Sequence, residues 1–98
     1  MAISKQYLKS KPICKVTFTV PAGDAEKVMV VGSFNDWDTK KEPLKKLKNG
    51  TFKGVINLET DNSYEFRYLV DGTYVSETEA DGLVWNDFAA AENSVITV

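Results

Sequence analysis

An all-β fold, a sandwich of about seven short strands, is predicted by three features of the sequence. Apolar and polar residues alternate at a period of two in several short runs. Turn-forming residues recur roughly every 8 to 12 positions, and no segment holds a convincing helical period. At 98 residues the chain suits one domain with one core, since a chain this short buries only about 60 to 65% of the surface that it exposes when unfolded.

Residues 1–12 read as a lead-in segment whose lysines stay in water and whose Tyr7 and Leu8 dock on the body; the domain proper is expected over residues 13–98. From Lys15 to Val20 the alternation is strict, with Val16, Phe18 and Val20 on one face and Lys15, Thr17 and Thr19 on the other. That is the pattern of a half-buried strand. Pro21-Ala22-Gly23-Asp24 ends it as a turn. Val28-Met29-Val30-Val31 is uniformly apolar, as a strand covered on both faces is, and Gly32 permits a bulge or close backbone approach where the strand ends. Asn35, Asp36 and Asp38 follow, and their short side chains bond nearby backbone amides in turns. Trp37 among them either lies at a surface corner or closes the end of the core.

Leu44 and Leu47 anchor a short or irregular strand in a lysine-rich stretch, and Asn49-Gly50 signals a two-residue type I′ hairpin into the strand from Thr51 to Leu58. Phe52, Ile56 and Leu58 share a parity there, with Gly54 between them. After the turn at Asp61-Asn62-Ser63, Tyr64, Phe66 and Tyr68 alternate onto the core face, which sends Arg67 to the opposite one. Asp71-Gly72 closes a tight hairpin, and Thr73 to Ser76 returns as a short strand. Regular alternation stops between Glu77 and Glu92, which reads as a long loop of the kind that often carries function. Asn93 to Val98 is the last strand.

The composition narrows the chemistry. A net charge of −2 gives no general attraction to nucleic acid or to an anionic membrane. The lysine cluster at 40–48 is short and lacks interleaved aromatics, so neither nucleic acid nor membrane is expected as a partner. Histidine is absent and Cys14 is the sole cysteine. There is accordingly no Ser-His or Cys-His pair, no intrachain disulfide, and no expected metal or other cofactor. Cys14 reads as a small core residue. One cysteine and no apolar run long enough for a signal peptide or membrane span lead to a cytoplasmic location. A glycosidase needs two carboxylates across a cleft. Glu77, Glu79 and Asp81 read instead as an acidic, solvated loop, and no enzyme activity is expected.

Three motifs then carry a resemblance: Val31-Gly32-Ser33-Phe34-Asn35-Asp36-Trp37, Tyr68-Leu69-Val70-Asp71-Gly72-Thr73 and Asn93-Ser94-Val95-Ile96-Thr97-Val98. In that order the chain from about Lys15 to Val98 resembles the isoamylase N-terminal early-set domains. These are also called family 48 carbohydrate-binding modules and include the glycogen-binding domain of the AMP-activated kinase β subunit. The chain is most similar to small bacterial proteins consisting of this domain alone. The resemblance implies an immunoglobulin-like sandwich that binds α-1,4-linked glucan, such as glycogen, starch or a maltooligosaccharide. It also implies a glycogen-metabolising enzyme as a possible partner.

By the same resemblance, Trp37 matches the first sugar-stacking tryptophan and Asn93 the asparagine that bonds the glucan. Arg67 stands where the kinase domains carry a lysine, and Tyr74 where they carry a second tryptophan. The ring-threading leucine of those domains falls near Ala89. A pyranose offers an apolar C–H face and a rim of hydroxyls, so flat aromatics beside amide and cationic groups are the residue types required. Trp37, Tyr74, Arg67 and Asn93 supply them, and Trp85 is a further candidate platform, with Phe88 nearby. Each has a structural alternative: Tyr74 as an edge-strand aromatic, Arg67 in a cross-strand pair with a glutamate, Asn93 as a turn residue, and Trp85 and Phe88 as pins for the loop. The competing function is a protein-interaction or regulatory module of the same fold that binds no sugar. Oligomeric state is left open.

Overall fold

The computed structural model describes residues 2–41, 43–77, 79–87 and 91–98. Among these residues the chain forms β1 (Ala2–Tyr7), β2 (Ile13–Pro21), β3 (Val28–Gly32), β4 (Lys45–Lys46), β5 (Thr51–Glu59), β6 (Ser63–Val70), β7 (Thr73–Val75), β8 (Gly82–Asn86) and β9 (Ala91–Thr97). A single 3-10 turn spans Ser33–Asn35. Two antiparallel sheets result, one in the order β1-β2-β5-β4 and the other β3-β6-β9-β8, with β7 also paired to β6. This is the strand order of a constant-type immunoglobulin sandwich with two added short strands, β7 and β8, between its last two.

The core lies between the sheets and follows the alternation read from the sequence. Cys14, Val16, Phe18 and Val20 of β2 face Phe66, Tyr68 and Ile96 of the second sheet, and all are buried. Phe18 meets the edges of Phe66 and Tyr68 at centroid distances of 5.3 and 6.2 Å, within the range in which the ring quadrupoles attract. Every residue of β3 is buried, as its uninterrupted apolar run requires. Gly54 leaves the space on β5 that the Leu44 side chain fills.

Four expectations are corrected. The lead-in contributes a full strand: β1 pairs with β2 from Ala2 opposite Thr19 to Tyr7 opposite Cys14. Its polar sequence conceals this because an edge strand needs little apolar content. The Asn49-Gly50 turn is not type I′, since Gly50 alone has positive φ, at 83°. Gly50 N–H closes a turn onto Leu47 O and Leu47 N–H bonds Thr51 O, the pattern of a type I turn with a glycine bulge. The Asp71-Gly72 hairpin does have positive φ at both positions. Residues 77–92 are not all loop, because β8 pairs with β9 from Gly82 opposite Val95 to Asn86 opposite Ala91.

The fourth correction concerns the acidic cluster. Glu77 is only 2% exposed, and its carboxylate accepts from Tyr68 O–H at 2.8 Å and from Glu79 N–H at 2.9 Å. Its own N–H donates to Ser94 Oγ at 2.7 Å. Asp81 accepts from Lys5 Nζ and from Thr97 N–H, both at 2.7 Å, so it clasps the first strand of one sheet to the last strand of the other.

Burial, reinforced by the hydrogen bond to Glu77, pushes the Tyr68 phenol far above its ordinary value of 10.0. The folded protein therefore keeps this proton where the unfolded chain releases it, and linkage makes stability fall as pH rises above about 10. Tyr68→Phe is expected to cost about 1 to 3 kcal/mol at neutral pH by leaving Glu77 Oε1 without its donor. Denaturant melts of both forms from pH 7 to 11 check this, the gap between them narrowing above pH 10.

Candidate functional site

The local fold around Trp37 is built by Asn35. Its buried side chain accepts from Gly32 N–H at 3.0 Å and donates to Val30 O at 3.1 Å, folding the chain back on the end of β3. Asp36 and Trp37 then take left-handed backbone, with φ of 56° and 58°, and Trp37 N–H bonds Gly32 O at 2.9 Å. Left-handed backbone at a tryptophan costs about 1 to 3 kcal/mol, a cost the surrounding bonds must offset. The indole is held 38% exposed at the margin of the second sheet.

Register places three of the other candidates on the outer face of that sheet. Val31 is opposite Arg67 and Met29 opposite Leu69 across β3 and β6, and Leu69 is opposite Tyr74 across β6 and β7. Phe66 is opposite Ser94 across β6 and β9, so one further step along that register sets Asn93 beside Arg67. Because facing residues share a side of the sheet, Met29, Leu69 and Tyr74 form one row, and Val31, Arg67 and Asn93 the next. Arg67 sits where the same edge of β6 changes partner from β9 to β7, and Ser76 Oγ–H bridges that junction to Glu92 O at 3.1 Å.

The Arg67 guanidinium lies over the Tyr74 ring at 4.7 Å from its centroid, a cation–π contact in place of the glutamate pairing open to it from sequence. Tyr74 remains 43% exposed. Asn93 belongs to β9 rather than to a turn, is 2% exposed, and donates through Nδ2 to Glu65 Oε1 at 3.2 Å. Among the described residues, two buried side-chain atoms on this face have no hydrogen-bond partner, Arg67 Nε and Asn93 Oδ1. One is a donor and the other an acceptor. On the neighbouring row a groove of about 500 Å³ is lined by Met29 and Leu69, by Glu26, Lys27, Thr39 and Lys40, and by the Asp71-Gly72 hairpin; neither Arg67 nor Asn93 lines it.

Trp85 does not join this group. It pairs with Glu92, one position out of step with Asn93, so its side chain belongs to the opposite pleat of the sheet. There it is 58% exposed and donates Nε1–H to Asp87 Oδ1 at 2.6 Å. Phe88 and Ala89 lie outside the described residues. Glu65, Met29 and Leu69 were missed by the motif reading. Glu65 and Leu69 share the parity of Arg67 along β6, which is the signal that marks them. Among the described residues no cluster of metal-ligating side chains is present, and no helix is long and apolar enough to cross a membrane.

The chain is similar to known proteins along most of its length. The model of the family described as the glycogen recognition site of AMP-activated protein kinase matches residues 15–98. The 1,4-alpha-glucan branching enzyme GlgB of Photobacterium profundum is 37% identical over 57 residues, covering 57% of this chain and 8% of the enzyme. The 1,4-alpha-glucan branching enzyme GlgB 2 of Xanthomonas oryzae pv. oryzae is 30% identical over 83 residues, covering 85% of this chain and 10% of the enzyme. The chain thus spans no more than about a tenth of the length of these relatives. With the family model covering the sandwich from within β2 to the end of β9, the chain belongs to the family of the AMP-activated protein kinase glycogen recognition site.

Proposed function

We propose that this domain is a non-catalytic module that binds α-1,4-linked glucan on the outer face of its second sheet, with Trp37 at the margin and Tyr74, Arg67 and Asn93 on the face. The observation that carries the reading is that two residues set side by side by the β6–β9 register each hold a buried orphaned atom, Arg67 Nε and Asn93 Oδ1. A sugar hydroxyl accepts and donates at once, so a glucan rim satisfies both, while the Tyr74 ring offers its face to the C–H side. Both atoms are closed to bulk water, so a ligand reaches them only as side chains on this face shift. Family membership and the printed function of the glucan branching enzymes support the same ligand class. A shallow site of this kind gives a Kd of about 10 μM to 1 mM. The reading places the domain in the cytoplasm, beside a glycogen-metabolising enzyme.

Titration with maltoheptaose and β-cyclodextrin by calorimetry tests it. Saturable binding is expected, weakened about tenfold by Trp37→Ala and unchanged by Trp85→Ala. A folded parent that shows no saturation at several millimolar overturns the proposal. The rival, a protein-interaction module, draws on Leu83, Val84 and Trp85, which leave edge strand β8 exposed and apolar. That rival gains if Trp85→Ala changes the oligomeric state and no glucan binds.

A further inference from the structure

Resting on the glucan reading, we propose that Glu65 is the positioning residue that sets the hydrogen-bond polarity of the site, making it selective for neutral sugar hydroxyls over anionic groups. Asn93 carries a donor and an acceptor at the end of one side chain, and nothing in its own strand decides which of them faces Arg67. Glu65 decides it. An ionised carboxylate only accepts, so its bond to Asn93 Nδ2 at 3.2 Å commits the amide donor to β6 and leaves Oδ1 as the end without a partner. The residue so fixed is only 2% exposed, and burial stops its side chain from turning freely.

Glu65 is itself fixed. It stands opposite Val95 in the β6–β9 ladder, and its backbone N–H donates to Ser33 Oγ at 3.2 Å. That bond joins the rung carrying the carboxylate to the turn that leads to Trp37. Glu65 is two residues from Arg67 on the same face of β6, and Asn93, beside Arg67 by register, spends its amide donor on Glu65 and keeps Oδ1, like Arg67 Nε, without a partner. A hydroxyl matches both ends of the orphan pair. A phosphate or a uronate carboxylate matches only Arg67, and it meets a carbonyl oxygen and a carboxylate beside it.

A double-mutant cycle with maltoheptaose separates positioning from bulk structure. Glu65→Ala is expected to weaken binding about five- to tenfold with an unchanged circular dichroism spectrum, because the amide loses its orientation. Glu65→Gln keeps an acceptor for Nδ2 and is expected to restore affinity to within about threefold of the parent. Once Asn93→Ala has been made, Glu65→Ala is expected to cost nothing further. Additive losses, or a Glu65→Gln variant as weak as Glu65→Ala, overturn the proposal. A parent that does not bind maltoheptaose at all overturns the glucan reading instead, so the two failures are distinct.

Discussion

Gly32→Ala is expected to lower the stability of the domain by about 2 to 3 kcal/mol, the upper part of the range for forcing atoms into a packed interior. A Cβ at this position meets Glu65 O at 2.6 Å, Phe34 Cε2 at 2.8 Å and Phe66 Cβ at 2.8 Å. The first of these is backbone of the neighbouring strand and cannot step aside without opening the β3–β6 ladder. For a domain of roughly 100 residues each kcal/mol moves Tm by about 4 to 8 °C, so a fall of about 10 to 20 °C is expected. Gly82→Ala is the control, because its Cβ meets nothing closer than Val95 Cβ at 3.9 Å. A thermal melt of the three proteins checks the difference. Gly32 also accepts the Trp37 N–H bond through its carbonyl, so displacing this backbone moves the corner that carries the indole.

The second large effect falls on binding. Arg67→Ala is expected to weaken maltoheptaose affinity about 30-fold or more, equivalent to about 2 kcal/mol, by removing charge-assisted hydrogen bonds and the partner that orders Tyr74. Arg67→Lys retains the charge but loses the planar group stacked on the tyrosine ring at 4.7 Å, and it is expected to fall between the two. Fold stability should move little in either variant, since Arg67 lies on the outer face of the sheet and its Nε lacks a partner among the described residues. Calorimetric titration of the three proteins gives the order directly.

Much of the sandwich was legible because its signals are local. The alternation in β2 and β6 and the apolar run of β3 determine which residues face the core, and the same parity places Arg67 outside it. The strand at Ala2–Tyr7 was not legible, because hydrogen bonding to β2 holds it and its side chains are mostly exposed. β8 was hidden for a related reason: Leu83, Val84 and Trp85 are consecutive exposed apolar residues, without the alternation that marks a half-buried strand. Glu77 looked like a solvated acid, since Tyr68, which donates to its carboxylate, and Ser94, which accepts from its backbone N–H, are remote in sequence.

The candidate site was legible by motif and incomplete by geometry. Arg67, Tyr74 and Asn93 share a face because the registers of β6 with β7 and β9 bring them there, and no local pattern encodes those registers. Trp85 stands apart from them for the same reason, a one-residue offset that turns it to the other pleat. Glu65 is tied to the candidate site only through a hydrogen bond to a residue 28 positions away.

Mapping maltoheptaose onto the domain by amide chemical shifts of the ¹⁵N-labelled protein tests the central claim most directly. The account predicts saturable shifts at Arg67, Tyr74 and Asn93 and at the Trp37 indole, with Leu83, Val84 and the Trp85 indole unmoved. Shifts confined to β8, or to the β1-β2-β5-β4 sheet, would contradict it.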